Sequence, residues 1–244
     1  MESKITSPLL HSRDLLKQDC DEITDAPYRE ALGAIQYLAN CYRPDIQFAT
    51  NFLSRFSQHP TTKHWTAVKR LIKYIYKTRD YAVTYTKQPL ELKTYSDANW
   101  ANDELDRRSI SGIIILLSGA PIVFESKKQT NTTLSTAESE YVAASEATRE
   151  MAGVRNLLME LGFSNITSHL YIDNQATISQ IKSLEPSKSA KHIDVRIHYV
   201  REQYNENQFQ IEHVDSEDQL ADLLTKELSG PRIKDILARC SIRS

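Results

Sequence analysis

Three short β-prone runs, residues 92–96, 109–117 and 121–124, stand directly ahead of one long helical run, 136–161, and few folds accept that order. Ser118-Gly119-Ala120 is a tight connection, so the three strands follow one another as hairpins. Ser135 and Glu138 have the spacing of a capping box, and Gly162 ends the helix. Residues 169–172 predict a fourth strand that ends in Asp173-Asn174, followed by a helix to about Leu184 and a polar, lysine-bearing loop over 186–191. A helix through Gln203, a fifth strand over 209–214, a helix over 217–228 and a short last helix over 231–240 complete the chain. Hairpin strands followed by strands alternating with helices predict an α/β fold with a mixed five-stranded sheet flanked by helices.

Upstream, apolar residues recur at helical spacing between Tyr28 and Phe56, with Arg43-Pro44-Asp45 interrupting them, which predicts two helices around a proline turn. A third helix over 63–77 has Trp65, Val68, Leu71, Ile72 and Ile75 on one side and Lys63, Lys69, Arg70, Lys73 and Lys77 on the other, with Arg79 just beyond. Two readings of that basic side are open: a solvated face of an amphipathic helix, or a surface that tracks phosphates. Residues 81–85 predict a short strand. The domain organisation expected is a polar arm or linker over 1–27, a small, mainly helical segment over 28–91, the α/β domain over 92–230 and a C-terminal short helix and tail over 231–244.

Composition narrows the function classes without choosing one. The 244 residues suffice for one large domain or two small ones, and 40% hydrophobic content supports a core. With 30 basic against 32 acidic side chains, net charge identifies no partner. Cys20, Cys41 and Cys240 form neither a CxxC pair nor an even-numbered framework, which fits reduced thiols. Without a membrane-length apolar run or a signal-peptide core, the chain is expected to be soluble and intracellular. His192, His198 and His213 have no zinc-ligand spacing with any cysteine pair, no serine has a nucleophile-elbow setting, and only 6 glycines leave no phosphate-binding loop.

Four acids fall where this layout can bring them together. Asp97 ends the first α/β strand, and Asp173 ends the fourth, which follows a crossover helix and so can lie parallel to the first. Glu140 lies in the first turns of the long helix, on the face of Ala137, Ala144, Ala147 and Met151, where a lone charge is unexpected. Asp222 sits beside Ala221 and Leu224 in the helix after the fifth strand. Packed carboxylates repel, so divalent cations are what make such a cluster tolerable, and oxygen-only ligands suit Mg2+ or Mn2+. Two ions about 4 Å apart could activate a water and stabilise the leaving oxygen of a phosphodiester. The plain alternative is that each Asp is a cap or turn residue and Glu140 a first-turn acid favoured by the helix dipole.

The segments Tyr95-Ser96-Asp97-Ala98, Asp106-Arg107-Arg108-Ser109-Ile110-Ser111-Gly112, Ser126-Lys127-Lys128-Gln129 and Leu134 through Tyr141 run in order along the chain. They continue with Asp173-Asn174, Lys191-His192-Ile193-Asp194 and Gln219 through Lys226, and the whole run resembles the ribonuclease H domain of copia-type retrotransposon Pol polyproteins. Tyr28, Arg43-Pro44-Asp45-Ile46, Leu53-Ser54-Arg55-Phe56 and His64-Trp65 through Tyr74 resemble the connection, or thumb-like, segment between reverse transcriptase and that domain. The resemblance implies a ribonuclease H-like fold and metal-dependent endonucleolytic hydrolysis of the RNA strand of RNA/DNA hybrids during reverse transcription. Asp97, Glu140, Asp173 and Asp222 would be the catalytic acids and hold two Mg2+ or Mn2+ ions, with Glu138 flanking them.

Under the same resemblance Lys69, Arg70, Lys73, Lys127, Lys128, Lys188 and Lys191 become candidate backbone contacts to nucleic acid. The partners implied are an RNA/DNA hybrid and the polymerase region of the same polyprotein, in the cytoplasm, in virus-like particles or in the nucleus. The paired-aspartate turn of a polymerase is absent, so polymerisation is not expected, and the chain reads as the C-terminal piece of a polyprotein or a truncated element. The stretch 215–219 is too short for the mobile-histidine loop that many ribonucleases H carry, and His213 is given no role. A noncatalytic remnant that binds nucleic acid or protein is the competing reading. An integrase fits less well in acid order and lacks its zinc module.

Overall fold

The computed structural model describes residues 5–17, 22–100, 107–183 and 191–243. In chain order the elements are α1 (Ser12–Leu15), α2 (Tyr28–Cys41), α3 (Pro44–Ser54), α4 (Thr62–Lys77), β1 (Ala82–Val83), β2 (Glu91–Asn99), β3 (Ile110–Leu117) and β4 (Ala120–Lys128). They continue with α5 (Thr136–Glu160), β5 (Thr167–Ile172), α6 (Gln175–Lys182), α7 (Lys191–Asn205), β6 (Gln210–His213), α8 (Asp222–Thr225), α9 (Gly230–Arg239) and β7 (Ile242–Arg243). The chain forms two compact units, one of residues 1–84 with 226–244 and the other of residues 85–225.

In the first unit, α2 buries Tyr28, Leu32, Ile35 and Ala39, a helical stripe in which the Tyr28 hydroxyl also donates to the Leu53 carbonyl at 2.8 Å. Pro44 opens α3, where its fixed φ suits a first turn. At the start of α4 the Thr61 N–H donates to His64 Nδ1 at 3.0 Å. That leaves the proton on Nε2, which donates to the Leu15 carbonyl, also at 3.0 Å. A buried ion pair ties the helices together: the Arg43 guanidinium donates to both Asp45 oxygens at 2.8 and 2.7 Å and to the Thr78 carbonyl at 3.1 Å. Residues 5–17, expected as an arm or linker, are packed in this unit. Ser7 and Leu9 are buried, and the Glu227 carboxylate accepts the His11 and Ser12 N–H groups at 2.9 Å each. The short strand expected near 81–85 is β1, paired with β7 at the far end of the chain.

The second unit is the mixed sheet expected from the sequence, in the order β4-β3-β2-β5-β6. The pairs β4/β3 and β3/β2 are antiparallel, whereas β2/β5 and β5/β6 are parallel. Ser118 (φ 51°) and Gly119 (φ 83°) make the two-residue β3–β4 turn, whose positive φ values match the twist of the strands. One face of the sheet, carrying Leu92, Ile113, Ile115, Leu170 and Ile172, packs with Tyr141, Ala144, Ala147 and Met151 of α5. The alanines let the helix approach closely.

Two elements differ from their sequence reading. β4 extends to Lys128 through a polar stretch, because ladder bonds to β3 hold an edge strand whatever its hydropathy. The helix expected over 217–228 shrinks to α8. Gln219 sits at the break: its amide donates to the Ser96 carbonyl of β2 at 2.9 Å, and its oxygen accepts the Ala221 N–H at 3.2 Å, taking a backbone donor that a continuous helix would use.

Candidate metal centre

The parallel register of β2 and β5 ends at Tyr95 beside Tyr171, and two residues further on each chain carries an aspartate, Asp97 and Asp173. The α5 face that packs on the sheet brings Glu140 to the same place. Asp97, Glu140 and Asp173 each offer an oxygen within 4.8 Å of those of the other two. Asp97 is 1% exposed and Glu140 4%, so these acids have largely lost their water. The carboxylates crowd into a low-dielectric corner, with the N-terminal turns of α5 adding partial positive charge.

The supports of this corner are specific. Ser135 caps α5, its hydroxyl accepting the Glu138 N–H at 3.2 Å. The Glu138 carboxylate accepts the Leu134 N–H at 2.7 Å. Gln129 is buried, and its amide donates to Ser111 Oγ and to the Ser139 carbonyl, both at 2.9 Å, tying the residue before Glu140 to β3. Asn174 spends its side chain capping α6, accepting the Thr177 N–H at 3.1 Å. His213 Nε2 donates to the Asp173 carbonyl at 3.2 Å.

Asp222 is buried at the start of α8 but does not belong to the close group of three. Its helix is nevertheless bound to the same strand end. Thr225, one turn on, donates its hydroxyl to Asp97 Oδ2, and the Asn99 amide donates to the Thr225 carbonyl at 3.1 Å. Gly112, paired with Asp97 across the β2–β3 ladder, makes room for this segment. A Cβ there would lie 2.7 Å from Thr225 Cγ2 and 2.8 Å from the Ala221 carbonyl.

Sequence reasoning gave no role to Gln129, Gln219, Thr225 or Gly112. The signal was the i, i+3 spacing of Asp222 and Thr225, which puts both on one side of a helix.

Among the basic candidates, Lys69 and Lys73 are exposed on α4, while Arg70 is half-buried and donates to the Ser7 carbonyl and hydroxyl at 3.2 and 3.3 Å. Burial lowers the Arg70 pKa. Lys127 is exposed on β4 with Glu125 3.8 Å away, and Lys128 is half-buried beside it. Lys188 and the side chain of Lys191 lie outside the described residues, as does Cys20.

No family model matches the chain. It is 34% identical over 229 residues, 91% of its length, to the retrovirus-related Pol polyprotein from transposon TNT 1-94 of Nicotiana tabacum. It is also 34% identical over 98% of its length to that from transposon RE1 of Arabidopsis thaliana. It spans only 17% and 16% of those polyproteins. Secreted RxLR effector protein 161 of Plasmopara viticola is 43% identical over 127 residues, 52% of this chain and 89% of that protein. Among solved structures, LC11-RNase H1 from compost aligns at a TM-score of 0.44 and 16% identity, covering 60% of this chain and 98% of that one. The mixed five-stranded sheet with its flanking helices is the α/β architecture expected, and over most of its length the chain is homologous, at about 34% identity, to retrovirus-related Pol polyproteins of plant copia-type transposons.

Proposed function

We propose that this chain is a ribonuclease H that cuts the RNA strand of RNA/DNA hybrids endonucleolytically during retrotransposon reverse transcription, beside the polymerase region of its polyprotein. One observation carries the reading: acids from β2, α5 and β5 bring oxygens within 4.8 Å of one another, two of them on buried residues. The donor set fits Mg2+ or Mn2+, since it is all carboxylate oxygen, and crowded buried carboxylates gain most from a hard divalent cation. Bound there, two such ions would supply an activated water and charge stabilisation at the leaving oxygen. Asp97, Glu140 and Asp173 would hold the cations, and Asp222 would be the fourth acid, on a helix docked at Asp97. The remaining residues orient these four: Gln129 fixes the start of α5, and Gln219 fixes the approach to α8. Lys127 and Lys128 on β4, with Lys69 and Lys73 on α4, are proposed to meet the phosphate backbone, and Arg70 contributes there less because Ser7 engages it.

The test is cleavage of a hybrid labelled on its RNA strand. With Mg2+ or Mn2+ the chain is expected to cut it, and Asp97→Asn to abolish cutting while keeping salt-sensitive binding. No cutting by the wild-type chain with either ion overturns the proposal. Binding without cutting would support the second reading, a noncatalytic binding module.

A further inference from the structure

We infer that Thr225 is a positioning residue of the metal centre, its hydroxyl setting the orientation in which Asp97 meets a divalent cation; the inference rests on the metal-centre reading above. A carboxylate can only accept, so the Thr225 hydroxyl donates to Asp97 Oδ2, a charge-assisted bond between two buried side chains. Thr225 is itself braced on both sides of that acid. Gln219 bonds the Ser96 carbonyl one residue before Asp97, and Asn99 bonds the Thr225 carbonyl two residues after it. The Thr225 methyl lies where Gly112 of β3 carries no side chain, so the absence of a Cβ there is what lets Thr225 approach the strand end. A group held this firmly removes the rotational freedom of the carboxylate it touches. The residue that donates to a ligating carboxylate is one that metal affinity commonly depends on.

Three variants separate the hydroxyl from the packing. Thr225→Val keeps the volume and loses the hydroxyl, Thr225→Ser keeps the hydroxyl and loses the methyl, and Thr225→Ala loses both. Binding of Mn2+ alone to the full chain is read from the electron paramagnetic resonance of the free ion, with folding checked by circular dichroism and hybrid cleavage measured in parallel. Thr225→Val is expected to weaken Mn2+ binding by about 10- to 100-fold, with Thr225→Ala following it and Thr225→Ser staying within a few-fold of wild type. A folded Thr225→Val chain that binds Mn2+ as wild type does overturns the inference. So does unfolding of both hydroxyl-free variants when Thr225→Ser folds, since the hydroxyl then serves stability alone. Wild-type chain that binds Mn2+ in the Thr225-dependent way yet cuts no hybrid sinks the ribonuclease reading and leaves this one standing. Wild-type chain that binds no Mn2+ removes the metal centre and the inference together.

Discussion

Asp97 and Asp222 carry the same functional group in different settings, and the difference is measurable. Asp97 lies within 4.8 Å of two other acids and takes a hydroxyl bond from Thr225, whereas Asp222 stands outside that group on α8. Asp97→Asn is therefore expected to lower the cleavage rate by at least about 10²–10³-fold, the scale of losing a principal electrostatic group in an active site. Asp222→Asn is expected to cost less, and single-turnover rates at saturating Mg2+ compare the two. Gly112 offers a test of the packing beneath them. Its Cβ would meet Thr225 and Ala221 below 3.0 Å, so Gly112→Ala must push α8 away from the strand or distort β3. The expected loss is about 1–3 kcal/mol in a urea melt, with Mn2+ binding weakened beyond what the lost stability explains. A Gly112→Ala chain as stable as wild type would show that α8 does not sit against β3 as described.

At the level of elements, what was legible in the sequence and what was not divides by the range of the interaction. Ser135 and Gly162 mark the ends of α5 through bonds within a few residues, and Asp173-Asn174 reads as a strand end because Asn174 caps the helix that follows. The shortening of the 217–228 helix was hidden, because it depends on Gln219 reaching Ser96 across the whole domain. The same holds for β1, whose partner β7 is supplied by the other end of the chain. The Arg43-Pro44-Asp45 turn looked like an interruption, yet its two charged residues make the buried pair that joins α3 to the end of α4. The Tyr74 hydroxyl also donates to Asp45 at 2.8 Å, and burial together with that carboxylate raises the Tyr74 pKa. Removing one partner strands the other, so Asp45→Ala is expected to destabilise the first unit by about 3–5 kcal/mol. Denaturation followed by circular dichroism checks it, and a loss below 1 kcal/mol, within the ~0–1 kcal/mol of an exposed pair, would mean the guanidinium is well solvated.

At the scale of the whole molecule, the first unit draws on both ends of the chain, and Cys240 reports on whether it is closed. Ile233, Ile236, Leu237, Cys240 and Ile242 are all buried in that unit, and Glu227 caps the segment at His11 and Ser12. Burial pushes the Cys240 thiol up to about 12, so at pH 8 almost none of it is thiolate, the form that reacts. Cys41 is exposed on α2. In a Cys20→Ser background, a thiol reagent at pH 8 is expected to label Cys41 in a fast phase and Cys240 in a slow one limited by opening of the unit. The slow phase then links to the buried ion pair. If Asp45→Ala weakens the first unit by the amount argued above, the population in which Cys240 is open rises by the same free energy, and its labelling accelerates while that of Cys41 does not. Peptide mass spectrometry separates the two sites. Cys240 labelling as fast as Cys41 in the wild-type chain would show that the C-terminal residues do not close this unit in solution.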